Sequence, residues 1–157
     1  MSDKEKLKIA MEKYGDMIFR ICLFTLKNYA DAEDTVQETF IIYFRKSPAF
    51  ENSEHEKAWL ISVAQNKCRD TLRFNKRHMT EPEEALHNYI QNEEETHIID
   101  ALMSVPEKFR IVLQMHYIEG FKVDEIATVI KKSPSAVKMR LSKGRKLLEE
   151  IYRKEFL

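Results

Sequence analysis

The chain is expected to be all-α: two small helical bundles joined by a flexible acidic linker, the second bundle containing a helix-turn-helix. Three observations predict this. Apolar residues recur at three- and four-residue spacing through most of the chain, the pattern of helices that bury one face. Three glycines and four prolines in 157 residues are too few for the frequent turns of a many-stranded sheet protein. Charge is also segregated. The 26 basic and 26 acidic residues sum to zero, yet residues 81–100 hold seven acids (Glu81, Glu83, Glu84, Glu93, Glu94, Glu95, Asp100) and no Lys or Arg. A chain of this length makes one ordinary domain or two small ones. The aperiodic acidic stretch sets the division at 1–78, a linker at 79–96, and 97–157.

The first helix opens on Ser2 and Glu5, a capping-box pair. Leu7, Ala10, Met11, Tyr14, Met17, Ile18, Ile21, Cys22 and Leu26 follow helical spacing, with Gly15 the point where so long a helix softens or kinks. Residues 28–31 (NYAD) are the break. Asp31 is expected to cap the next helix, DAEDTVQETFIIYFRK, with Glu33 and Asp34 in the first turn where the helix dipole favours anions. Val36, Phe40, Ile41, Tyr43 and Phe44 give this helix its apolar face. Asp31, Asp34, Gln37, Glu38 and Ile41 form a stripe at three- and four-residue spacing, which taken alone is more often a solvated surface than a docking site.

Turn residues mark 47–53 (SPAFENS) as a loop. A long helix is expected over 54–77, with Trp59, Leu60, Val63, Ala64, Cys68 and Leu72 inward. Its C-terminal part carries Lys67, Arg69, Arg73, Lys76 and Arg77 against Asp70, with Phe74 interleaved. Cations there complement the helix dipole. The same density beside Asn66, Asn75 and Trp59 also suits a phosphate backbone with unstacked bases.

The linker is read as a tether with a short helix at 83–89. The second bundle begins with Ile98, Ile99, Leu102 and Met103. Pro106 opens PEKFRIVLQMHYIEG, with Phe109, Val112, Leu113, His116 and Tyr117 inward, and Gly120 ends it. Val123, Ile126, Ala127 and Ile130 mark a short amphipathic helix, and Lys131, Lys132 and Ser133 turn into SPSAVKMRLSKGRKLL. Ser133 is an N-cap and Pro134 fits the first helical position. Lys138, Arg140, Lys143, Arg145 and Lys146 follow with no acid among them. Short helix, three-residue turn and polar second helix describe a helix-turn-helix, with Ala127 and Ala136 small enough for a close crossing. By itself, the basic helix is equally well read as a solvated charge run.

Several classes are disfavoured. No run approaches the ~20 apolar residues of a membrane span, and no apolar stretch follows the charged start as in a signal peptide; the cytoplasm is the default. Cys22 and Cys68 lack CxxC spacing and read as buried free thiols. The five histidines are scattered, so neither a metal site nor a cofactor is expected. No nucleophile triad, phosphate-cradling Gly loop or paired carboxylates stand out, which disfavours an enzyme, and no small-molecule substrate is expected.

Three segments in this order and spacing, DAEDTVQETFIIYFRK, KAWLISVAQNKCRDTLR, and VPEKFRIVLQMHYIEGFKVDEIATVI followed by SPSAVKMRLSKGRKLL, carry a likeness to a known family. The chain resembles the extracytoplasmic-function (ECF) subfamily of sigma-70 RNA polymerase sigma factors from about Lys6 to Tyr152. The resemblance implies an N-terminal domain that docks on core RNA polymerase and reads the −10 element, and a C-terminal domain for the −35 element. It implies that Asp31, Asp34, Gln37, Glu38 and Ile41 meet the polymerase clamp, reversing the solvated-face reading. Asn52 and Ser53 would receive an unstacked −10 base, and Lys57, Trp59, Asn66, Arg69, Arg73, Lys76 and Arg77 would line the melted strand. Ser133, Ser135, Lys138, Met139, Arg140, Ser142 and Lys143 would face the −35 duplex. The resemblance also implies a bacterial protein associated with the nucleoid when on polymerase, and it allows an anti-sigma factor as a further partner.

The sequence departs from the family pattern in places. Ala136 stands where Thr is frequent, removing a hydroxyl, and Gly144 where Ala is usual, at about 1 kcal/mol of helix propensity. Lys replaces Arg at Lys138 and Lys143. Lys lacks the fork that Arg offers guanine, so these two are expected to lean toward phosphate. The alternative function is a stand-alone helix-turn-helix regulator, which leaves the N-terminal stripe and basic helix unemployed.

Overall fold

The computed structural model describes the backbone of residues 1–78 and 93–157, and the side chains of 1–75 and 96–157. Most of the segment expected as a linker, with its short helix at 83–89, lies outside the described residues, as do the side chains of Lys76 and Arg77. The chain forms two compact units, Met1–Leu86 and His87–Leu157.

In the first unit α1 (Asp3–Leu26), α2 (Tyr29–Lys46) and α3 (Ser53–His78) pack pairwise into a three-helix bundle. Ser2 Oγ accepts from the Glu5 N–H at 3.2 Å, the hydroxyl half of the expected capping box. The helix runs unbroken through Gly15 and ends at Lys27, which takes a left-handed conformation and donates its N–H to the Leu23 carbonyl. The break before α2 is only Lys27 and Asn28. Asn28, not Asp31, is the cap: its Oδ1 accepts from the Asp31 N–H at 2.9 Å. That choice starts the helix earlier and frees the Asp31 carboxylate for other partners.

Ile18, Ile21, Leu23, Leu60 and Ile61 are fully buried at the bundle centre, each contributing about 1.5–3 kcal/mol relative to exposure. The inward face of α2 includes the expected Phe40 and Tyr43 but not Ile41 and Phe44. It is built from Ala32, Thr35, Thr39, Phe40 and Tyr43, while Ile41 and Phe44 stand 47% and 41% exposed. Small residues allow the close approach of α2 to its neighbours, and Thr39 satisfies its buried hydroxyl by donating to the Thr35 carbonyl at 2.8 Å. Cys22 and Cys68 are both buried free thiols. The hydrogen bond to Cys68, burial, and the neighbouring sulfur together raise the Cys22 pKa, so it stays protonated.

The second unit contains α4 (Glu93–Ser104), α5 (Glu107–Leu113), a π-helical turn (Gln114–Ile118) continuing α5, α6 (Val123–Ile130) and α7 (Pro134–Phe156). The described part of helix α4, Glu93–Ser104, reaches into the stretch read as linker. The Arg110 guanidinium donates to the Met103 carbonyl at 3.2 Å, satisfying the end of α4. Burial lowers its pKa, partly offset by Glu107, yet a guanidinium stays charged. The π-turn adds a residue to the helical circuit. Gln114 and Met115 therefore become buried, and Tyr117, expected inward, is 58% exposed. His116 is half-buried, its Nδ1–H donating to the Phe121 carbonyl at 2.8 Å.

The expected helix-turn-helix is present. Lys131 takes the left-handed conformation that ends α6, Ser133 Oγ accepts from the Ala136 N–H at 3.1 Å, and Pro134 opens α7. Gly144 is explained by packing. A Cβ there would meet Leu113 Cδ1 at 3.1 Å and Phe109 Cβ at 3.4 Å, so glycine lets α7 lie against α5.

Candidate functional site

The acidic stripe is displayed on α2. Asp34, Gln37, Glu38 and Ile41 are exposed, and Asp31 is half-buried. Asp31 Oδ2 accepts from Asn75 Nδ2 on α3 at 3.0 Å. That bond closes one end of a groove of about 430 Å³ between α2 and α3. Asp31, Asp34, Glu38 and Asp70 bring four carboxylates to it against the Lys67 ammonium, with Phe74 on the wall. Phe74 is 51% exposed. Periodicity places the stripe on one helix but has no means of showing that α3 faces it.

The loop before α3 is fixed from several sides. Phe50 stacks on Tyr43 with ring centroids 6.1 Å apart, and Trp59 meets both rings edge-on at 6.0 and 5.7 Å. His55 adds a further edge contact to Phe50 at 5.3 Å. Tyr43 donates to Glu56 Oε2 at 2.7 Å; burial, then this bond, raise the phenol pKa. From α1, Lys6 Nζ donates to the Pro48 carbonyl at 2.6 Å and lies over the Tyr43 and Phe50 rings. Lys13 Nζ donates to Ser53 Oγ and the Tyr14 hydroxyl to the Ser53 carbonyl. Lys6, Lys13 and Tyr14 were not foreseen, because contacts some forty residues apart leave no local signal.

Asn52 and Trp59 consequently have structural partners. Asn52 Oδ1 caps α3, accepting from the His55 N–H at 2.8 Å, which leaves the exposed amide Nδ2 for another partner. Trp59 is half-buried at the centre of the aromatic cluster. Further along α3, Arg69 donates to Asn66 Oδ1 at 3.1 Å, and Arg73 lies 3.9 Å from Asp70. Asn66, Arg69 and Arg73 are exposed, and Lys57 is half-buried.

In the second unit α7 divides cleanly. Val137, Leu141 and Gly144 are buried, while Ser133, Ser135, Lys138, Met139, Ser142 and Lys143 are exposed and Arg140 is half-buried. Lys143 Nζ lies 5.4 Å from the Phe109 ring centroid, and Arg145 donates to the Tyr117 hydroxyl at 3.0 Å. The outward turn of Tyr117, a product of the π-turn, supplies that second contact.

A three-helix bundle with an acidic helix face, followed in the same chain by a helix-turn-helix, is the architecture of a sigma-70 type initiation factor. Residues 10–78 match the Sigma-70 region 2 family and residues 97–148 the Sigma-70 region 4 family. The chain belongs to the ECF subfamily of sigma-70 factors and is an alternative sigma factor that directs transcription initiation. Among its relatives, the ECF RNA polymerase sigma factor SigW of Bacillus subtilis is 25% identical over 94% of this chain and 89% of SigW. RNA polymerase sigma factor CarQ of Myxococcus xanthus is 28% identical over 80% and 77%. The fold is similar to sigma factor RpoE in complex with the anti-sigma factor NepR from Bartonella quintana (TM-score 0.74, 19% identity, 96% and 99% covered). It is also similar to CnrH in complex with the cytosolic domain of CnrY (TM-score 0.77, 22% identity, 97% and 90% covered).

Proposed function

We propose that the N-terminal unit docks on core RNA polymerase through the α2 stripe and handles the −10 element, while α7 enters the −35 major groove. The observation that carries this reading is the division of α2. Its packing is done by Ala32, Thr35, Thr39, Phe40 and Tyr43, so the fold leaves Asp34, Gln37, Glu38 and Ile41 exposed. Their partner is a basic helical surface with apolar contacts. The Asn52 amide and the edge of Trp59 meet an unstacked base, and Asn66, Arg69, Arg73, Lys76 and Arg77 follow the melted strand. Ser133, Ser135, Lys138, Met139, Arg140, Ser142 and Lys143 face the −35 duplex.

The mechanism involves no bond-making. Polymerase holds two weak DNA-binding units on one duplex, so each acts at the high effective concentration set by the other. Opening is favoured as extruded bases gain stacking contacts of about 1–3 kcal/mol each. The site of action is the cytoplasm, on the nucleoid. An anti-sigma partner is the natural regulator; RpoE, to which the fold is similar, is held by the anti-sigma factor NepR.

Run-off transcription by core polymerase with this protein, on genomic fragments including its own upstream region, tests the reading. Discrete start sites are expected only when the protein is added. Folded protein that supports no initiation overturns the proposal, and tight duplex binding without polymerase favours a stand-alone regulator instead.

A further inference from the structure

The exposed face of α7 has an unusual centre. At ~100° per residue, the positions opposite buried Val137, Leu141 and Gly144 are Ser135, Met139, Ser142 and Lys146. Cations flank this stripe, with Lys138 on one side and Lys143 on the other. A helix in a major groove meets base edges along its centre and phosphates along its flanks, and this face is arranged in that way. Its centre carries no guanidinium: Arg140 is half-buried, and Arg145 donates to Tyr117. The bidentate fork that selects guanine is therefore missing where bases are read.

What the centre offers instead is Met139. Its side chain is 68% exposed, more than any other large hydrophobic residue described apart from those at the two chain ends. Ser135, four residues before, and Ser142, three after, are too short to cover it. An unbranched thioether adapts to an irregular surface. The one strongly apolar feature on the major-groove edge of a base pair is the C5-methyl group of thymine.

We propose that Met139 reads a thymine methyl group within the −35 element and is a specificity-determining residue of this sigma factor. The proposal rests on the placement of α7 in the −35 duplex. It is tested with holoenzyme assembled from core polymerase and the full chain, by selecting functional promoters from a pool randomised at −35. Wild-type holoenzyme should enrich thymine at one position where Met139→Ala shows no preference and Met139→Leu retains it. On the selected promoter, thymine-to-deoxyuridine replacement removes only the methyl group. It should lower −35 affinity about fourfold, the scale of one buried methyl, for wild type and not for Met139→Ala. Circular dichroism confirms that the variants are folded.

Undiminished thymine enrichment by Met139→Ala, or a wild type indifferent to deoxyuridine, overturns the proposal. So does weaker core-polymerase binding by Met139→Ala with unchanged −35 preference, which assigns Met139 to a protein contact. Holoenzyme that initiates but enriches no duplex sequence upstream overturns the placement of α7 itself, a result distinguishable from the first two.

Discussion

The two units present their candidate DNA contacts in opposite ways. In the N-terminal unit the relevant side chains already hold one another. Asn52 caps α3, Trp59 sits edge-on against the stacked Tyr43 and Phe50 rings, Arg69 bonds Asn66 and Arg73 approaches Asp70. In the C-terminal unit the Ser133 cap and buried Val137 and Leu141 hold α7 in place, and of the outward candidates only Ser133, as the cap, and Lys143, over the Phe109 ring, take part in that work. On the proposed reading, melted DNA would exchange contacts in the first unit, whereas duplex DNA would add contacts in the second. A site that opens DNA gains from such preorganisation, because its stacking surfaces are set before the base arrives.

Substitutions can break or sharpen this contrast. The largest effect is expected for Trp59→Ala, which should destabilise the N-terminal unit by about 2 kcal/mol, below the ~3–5 of a fully buried aromatic residue, and also abolish promoter opening. Denaturant unfolding and permanganate footprinting read the two separately; lost stability with normal opening would reduce Trp59 to packing. Asn52→Ala should cost about 1 kcal/mol as a lost cap. Asn52→Ser keeps a capping oxygen, so its stability should return to within ~0.5 kcal/mol of the parent while opening stays impaired. If Asn52→Ser opens promoters normally, the residue is only a cap.

The other unit should respond differently. Lys138→Ala and Lys143→Ala are expected to leave its stability within ~0.5 kcal/mol while lowering the salt slope of promoter binding by about one unit each. An unchanged slope would remove them from the phosphate contacts. The smallest effect is expected for Gly144→Ala. The ~1 kcal/mol gain in helix propensity is offset by pushing on Leu113, 3.1 Å from the new methyl. Thermal unfolding should show a variant no more stable than the parent; a full 1 kcal/mol gain would mean that Leu113 yields freely.

Features encoded by neighbouring residues were legible in the chain. The long basic helix was expected over 54–77 and spans Ser53–His78, and the turn at Lys131–Ser133 with its serine cap is as expected. Features set by distant partners were not. Ile41 and Phe44 look like core residues, but contact with α1 and α3 selects the face of Ala32, Thr35, Thr39, Phe40 and Tyr43 instead. The π-turn has no local signature; it is visible only where Gln114 turns in and Tyr117 turns out. The same division holds for the site. The stripe and the cations were readable one helix at a time, whereas the Asp31–Asn75 bond and the Lys6 clasp on the loop required the bundle.

The two cysteines offer a use of another kind. Both are buried in the N-terminal unit, Cys22 on α1 and Cys68 on α3, and the chain contains no others. A thiol reagent added to the intact protein can therefore report only on that unit, and only at moments when α1 and α3 part. Labelling rates measured with and without polymerase would time the breathing of the N-terminal unit inside the full chain, with the other unit silent.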